Sequence, residues 1–320
     1  MSVLHFLKIR LRIGYDINPV IEKYLGTKSG SYLHDLHNDL SYYRKSIITA
    51  LFVLVVLGGT ILYPGYSAFA DTVGDLSEVF TDTGVPWLGQ TAVTGFHGIF
   101  GAGLFNGERI IGNSRRRTVP LPIVLLAYQN WAYWSIGGGG VWIFQSDDHA
   151  LKFGVGMKLH PGYRPDDDPV LIGMEKRKTS LDGYANVLWR TSLSDIGLRY
   201  YRDIADVSKG NAVSFRLSHN FPIRELGRLT PSIGIEWSDS RYVDYYYGVR
   251  PSEELPDRPS YFGRDTVNIS VGITGSYRVS RSWSILAGLY GTRLGRGITD
   301  SPIVPRSFTV LAYFGAGWLF

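Results

Sequence analysis

Few residues in this chain are of the types that make or break bonds, and their spacing keeps them apart. There is no cysteine, which removes disulfides, thiolate nucleophiles and thiolate metal sites. Beyond residue 70 the histidines are His97, His149, His160 and His219, and they share no short motif. Only Ser218-His219 sets a hydroxyl beside an imidazole, the pairing a hydrolytic nucleophile needs. Neighbours on a strand point to opposite faces, so the two are predicted not to form a dyad. Asp147-Asp148-His149 and Asp166-Asp167-Asp168 offer hard-cation ligand types without the spaced pattern of a calcium loop, and read as solvated turn and loop charge. Gly137–Gly140 lacks the strand-then-helix context of a phosphate loop and reads as a bend. Arg115, Arg116 and Arg117 could pair with lipopolysaccharide phosphates through forked guanidinium contacts; a solvated loop cluster is the alternative. No enzyme activity, metal or cofactor is expected. With no second basic stripe, nucleic acid is not expected as a partner.

The elements that would carry these residues are strands. From Arg306 to Phe320 the chain reads RSFTVLAYFGAGWLF. Phe308, Val310, Ala312, Phe314, Ala316, Trp318 and Phe320 fall on one face, and Ser307, Thr309, Tyr313, Gly315 and Gly317 on the other, because strand side chains alternate with period two. Aromatic girdles mark the ends of lipid-facing strands. A terminal strand carrying Phe314, Trp318 and Phe320 resembles the C-terminal signal by which the barrel-assembly machinery closes bacterial outer-membrane barrels against their first strand.

The same alternation recurs upstream. Val213, Phe215, Leu217 and Phe221 oppose Ser214, Arg216, Ser218 and Asn220, while Val267, Ile269, Val271 and Ile273 oppose Asn268, Ser270 and Thr274. An arginine facing lipid at the midplane costs ~2–4 kcal/mol, whereas a wet or ion-paired lumen accommodates it. The polar faces collect Lys152, Lys158, Asp182, Arg190, Arg216, Glu236 and Arg278 as expected lumen charges of both signs. Tight turns alternate with longer connections at 106–118, 161–180, 241–265 and 295–305, as periplasmic turns alternate with extracellular loops. The count is about twelve strands if Gly137–Gly140 is a turn, and ten if Trp131–Phe144 is one kinked strand. Tyr245, Tyr246, Tyr247 and Tyr261 make the longest loop the first place to look for a ligand or partner.

The 38 glycines, 21 tyrosines, 15 phenylalanines and 8 tryptophans suit curved strands and membrane interfaces. A net charge of +5 is concentrated upstream, since residues 1–70 carry seven Lys/Arg and four Asp/Glu. Residues 1–45 form a polar and basic leader. Residues 46–70 read as the hydrophobic and cleavage region of a signal peptide: Arg44-Lys45 precede an apolar run ending in Ala68-Phe69-Ala70, with Asp71 the expected first mature residue. Residues 71–86 are expected to be a periplasmic segment and 87–320 the barrel.

The blocks Tyr246-Tyr247-Gly248-Val249, Pro251-Ser252, Pro259-Ser260-Tyr261, Ser280-Arg281-Ser282-Trp283-Ser284 and Asp300-Ser301-Pro302-Ile303-Val304, with the terminal aromatic strand, resemble the MipA/OmpV family of outer-membrane proteins. The resemblance covers most of Trp87–Phe320 and none of the leader. It implies an outer-membrane β-barrel of a Gram-negative bacterium in contact with lipid and lipopolysaccharide. It also implies a non-enzymatic scaffold of the envelope that links a peptidoglycan synthase to a lytic transglycosylase. A narrow channel for osmotic response or small-solute diffusion, or a surface adhesin, is the alternative.

Overall fold

The computed structural model describes residues 95–112, 116–135, 137–224 and 227–320. The leader, the cleavage residues Ala68, Ala70 and Asp71, the 71–86 segment and Arg115 lie outside the described residues. The strands are β1 (Phe96–Gly107), β2 (Arg117–Tyr128), β3 (Ala132–Ser135), β4 (Gly138–Gln145), β5 (Leu151–His160), β6 (Ser180–Arg190), β7 (Asp195–Asp203), β8 (Asn211–Ser218 and Phe221–Ile223), β9 (Gly227–Ser238), β10 (Thr266–Arg278), β11 (Trp283–Arg293) and β12 (Phe308–Leu319). Each pairs antiparallel with its sequence neighbours. The ring closes where β12 meets β1, from Ile99↔Leu319 to Gly107↔Leu311.

The two segments of β8 face β9 in one unbroken register, Ser218↔Ser232 continuing to Phe221↔Leu229. They are one strand interrupted at His219 and Asn220, and the barrel has twelve. Closure gives each strand a hydrogen-bonded partner on both sides, as a backbone spanning hydrocarbon requires. Phe100, Phe215, Ile233, Val271 and Phe314 are exposed, while Ser214, Ser218, Thr274 and Ser284 are buried. That inversion of an ordinary soluble core follows from a lipid-facing outside.

Two expectations need correction. Gly138, Gly139 and Gly140 are part of β4, not a turn; the reversal falls earlier, where Gly137 takes φ 90°, a conformation glycine adopts without steric cost. This also removes the single kinked strand across 131–144. Arg117 is the exposed first residue of β2 rather than a loop residue.

Glycine has a second use in the wall. A Cβ on Gly272 would clash with the Tyr290 ring, and one on Gly288 with the Tyr313 ring. Each inward tyrosine lies flat across a glycine of the adjoining strand, and the Tyr290 and Tyr313 rings stack with centroids 6.5 Å apart, a geometry such pairs favour. Gly272→Val and Gly288→Val are therefore expected to lower the fraction of folded, heat-modifiable barrel on electrophoresis, whereas Gly275→Ala, whose Cβ would make only ordinary van der Waals contact with Leu229 at 3.8 Å, is expected to leave it unchanged.

The described connecting residues at 108–112, 161–179, 204–210, 239–265 and 294–307 lie at one end, and those at 129–131, 146–150, 191–194 and 279–282 at the other. β1 begins and β12 finishes at the short-turn end. Long connections mark the extracellular side of such barrels.

Candidate functional site

The extracellular loops fold into a roof with its own core. Within the 239–265 loop, helix α1 (Ser240–Tyr247) starts at Asp239, whose carboxylate accepts the Tyr242 N–H at 2.9 Å, an N-cap that satisfies one of the helix's orphan donors. Val243, Tyr246 and Tyr247 share its buried face, the three- and four-residue spacing of an amphipathic helix. They pack with Ile111, Tyr163, Leu171 and Met174 from two earlier loops. Ile298, Ile303 and Val304 come from the last loop, which carries the short helix α2 (Arg296–Thr299).

At the centre of the roof Arg177 and Glu253 form a forked ion pair. Arg177 Nη1 donates to Oε1 and Nη2 to Oε2, each at 2.8 Å, with both side chains 1% exposed. Arg177 Nε also donates to the Tyr245 carbonyl at 2.8 Å, and Nη2 to that of Gly248 at 3.2 Å. Glu253 in turn accepts the Glu175 N–H at 2.8 Å and the Arg250 N–H at 3.0 Å. Burial disfavours the Glu253 carboxylate, yet the Arg177 hydrogen bonds and the two backbone donors outweigh it and hold its pKa at about 2. Arg258 donates to the carbonyls of Val170, Ile172 and Glu253 at 2.6, 3.0 and 2.7 Å. Arg109 and Arg306 tie the first and last loops to the rest: Arg109 donates to the Asp167 carbonyl at 2.7 Å and Arg306 to the Arg109 carbonyl at 2.5 Å.

Below the roof the lumen has two unlike sectors. Lys152, Lys158, Asp182, Arg190, Arg216, Glu236 and Arg278 occupy the inward alternation of β5, β6, β8, β9 and β10, opposite lipid-exposed Phe153, Met157, Trp189, Phe215, Ile235 and Tyr277. Lys158 Nζ sits 4.2 Å from the Tyr201 ring centroid, and Arg199 Cζ 4.8 Å from that of Tyr184, contacts that favour a cation in a partly dry site. His160, at the top of β5, lies within hydrogen-bond distance of the Tyr242 hydroxyl, 3.1 Å from Nε2. A cleft there is lined by Lys158, His160, Asp182, Tyr201, Asp203 and Tyr242, among others. Across the barrel, β1, β2, β11 and β12 turn Ile99, Leu121, Ile123, Leu125, Leu286 and Leu311 inward, along with His97, Ser284, Tyr290 and Tyr313, so that sector is largely apolar and carries no charged side chain among those named.

The histidines are dispersed. His97 is inward on β1, His149 is in the β4–β5 turn, and His219 sits at the break in β8 with Nδ1 against the Leu193 carbonyl oxygen. Asp148 keeps to its turn, its carboxylate accepting from Ser146 Oγ and the Ala150 N–H at 2.5 and 3.0 Å. Asp168 departs from the expectation of solvated loop charge: it is 3% exposed and caps Val170 at 3.1 Å. Among the described residues no group of acidic and histidine side chains could hold a metal ion.

Residues 100–320 match the family model described as MltA-interacting protein MipA. The chain belongs to the MipA family. Its matching stretch is 29% identical over 144 residues to outer membrane protein Omp26La of Vibrio anguillarum, covering 44% of this chain and 55% of that one. OmpV of Vibrio cholerae is 30% identical over the same length, with the same coverage. The chain thus spans about half the length of these curated relatives. The MltA-interacting protein of Escherichia coli is 24% identical over 204 residues, covering 62% of this chain and 81% of that protein. This MipA-family chain is an outer-membrane β-barrel.

Sequence reasoning missed the roof and much of the ionic sector. Arg177 and Glu253 lie 76 residues apart in loops without periodicity. Arg199, Tyr201 and Asp203 were legible in principle, since β7 alternates them with Leu198, Tyr200 and Arg202.

Proposed function

We propose that this protein is a non-enzymatic docking protein of the outer membrane whose barrel does not serve as an open pore. The observation that carries the reading is the roof: four loops share one buried core, fastened by an ion pair withdrawn from water. A diffusion channel keeps an aqueous path past its loops, whereas loops that pack their apolar side chains into one shared core favour a closed end. The family points to the partner class, because a relative is named for its interaction with MltA. The partners proposed here are a lytic transglycosylase and a peptidoglycan synthase, met through the short turns on the periplasmic side.

In-cell crosslinking from single cysteines placed at Asp147 and Ser194, on two such turns, is expected to capture peptidoglycan enzymes. Planar bilayers holding the purified barrel are expected to show no steady conductance steps. Regular steps together with an absence of captured murein enzymes would replace this reading with a channel.

A further inference from the structure

The barrel wall has a notch. β3 is only four residues long, and its pairing with β2 spans Leu125↔Ser135 to Tyr128↔Ala132. Among the described residues no strand pairs with 117–124 of β2 on the side away from β1. The notch opens toward the long-loop end, hence toward the outer leaflet.

The chemistry of its edge follows from which way the backbone points. Gly98 exchanges N–H and C=O hydrogen bonds with Phe320 of the terminal strand, at 3.2 and 3.3 Å, while the Gly95 carbonyl accepts from Gln129 at the far end of β2. Backbone groups alternate sides along a strand. The odd residues of β1 therefore turn to β2, and their partners in register are odd, as in Ile99↔Leu125 and Gly103↔Leu121. The even residues of β2 present their backbone to the notch: Thr118, Pro120, Pro122 and Val124. Proline has no N–H. Val124 stands opposite residue 136, outside the described residues; the edge above it thus offers carbonyls from Thr118, Pro120 and Pro122, but an N–H only from Thr118.

An acceptor-rich edge is a poor template for an added strand, which must both give and receive hydrogen bonds; proline on an edge is a known guard against such pairing. It suits a ligand that donates. The flanks of the notch are apolar, with Pro120 and Pro122 exposed and Val124 half-buried. Arg116 is exposed at its upper end, just before β2, whereas Arg117 shares the inward parity of Leu121 and Ile123; the Arg116 guanidinium favours phosphate. We propose that the notch seats one lipopolysaccharide molecule. Its phosphate meets Arg116, its hydroxyl and amide donors meet the β2 carbonyls, and an acyl chain lies along the proline edge. This site is independent of the periplasmic docking reading.

The test uses the full chain purified from outer membranes. Native mass spectrometry is expected to find one lipopolysaccharide retained per barrel, and the Arg116→Gln variant is expected to lose it about tenfold, the scale of losing a charge-assisted hydrogen bond, whereas Arg117→Gln is expected to retain it. Both positions are exposed, and heat modifiability reports whether the variant has folded. A photoactivatable phenylalanine replacing Val124 is expected to crosslink lipopolysaccharide several times more than the same group replacing lipid-facing Ile269. In vesicles of phosphatidylglycerol alone, which lacks the amide donors, the Val124 site is expected to give little lipid adduct. Equal crosslinking from both positions would reduce the feature to ordinary annular lipid and overturn the proposal. So would equal yields from the two lipids, or a protein adduct in place of a lipid.

Discussion

Arg177→Met is expected to unfasten the extracellular roof while leaving the barrel closed. The guanidinium ties the 161–179 loop to the 239–265 loop, through Glu253 and the Tyr245 carbonyl, and also donates to the Glu175 carbonyl of its own loop. Removing one partner of a buried pair leaves the other charge uncompensated, which costs ~3–5 kcal/mol. The strands carry no part of that network, so the loss falls on the loops. In intact cells, trypsin should then cut near Lys176, Lys178 and Arg250, and planar bilayers should show conductance that the parent lacks. The double variant Arg177→Met/Glu253→Leu should recover much of the protection, since exchanging both charges for apolar groups removes the unpaired ion. Protection unchanged in the single variant would show that the apolar core alone holds the roof. Acid has a related effect. The Glu253 carboxyl ordinarily titrates at 4.5 and in the roof at about 2. Its contribution is complete above 4.5 and disappears as pH falls through about 2. Trypsin is inactive there, so pepsin is the suitable probe, with cleavage of the loops rising toward the lower end of that window.

Phe314→Arg is the second large effect. Phe314 lies midway along β12, is 59% exposed, and is in register with lipid-facing Leu104 of β1. A midplane arginine on the lipid face costs ~2–4 kcal/mol. Urea unfolding in phospholipid vesicles should therefore shift to lower denaturant, whereas Phe314→Leu should leave the midpoint nearly in place. A seam at β12–β1 also depends on Phe320, which exchanges both backbone hydrogen bonds with Gly98. Its deletion is proposed to slow assembly in cells. An unchanged midpoint for Phe314→Arg would contradict the outward assignment of this face.

The barrel was legible because lipid on one side and polar groups on the other force a period of two, and β8 and β10 display it without ambiguity. Legibility failed where both faces are alike. In β2, inward Leu121, Ile123 and Leu125 alternate with outward Pro120, Pro122 and Val124, so alternation carries no sign and the apolar sector went unseen. Gly138–Gly140 failed for a different reason: glycine signals a turn locally, but here it makes room for Trp134, Tyr133 and Tyr184. The aromatic loop at Tyr245–Tyr247 drew attention, but nothing local couples it to Arg177. Loop cores are written in long-range contacts, and a single sequence does not show those.

The roof has a consequence for biogenesis. Its core draws on segments near residues 111, 163–174, 243–249 and 294–304, so no subset of early hairpins can complete it. Closing contacts between such distant segments carries an entropic penalty that only the finished ring can offset. The lid must therefore be the last part of the molecule to mature. A half-inserted intermediate is open at the cell surface, and permeability to a small dye during synthesis would time the moment at which the final hairpin arrives.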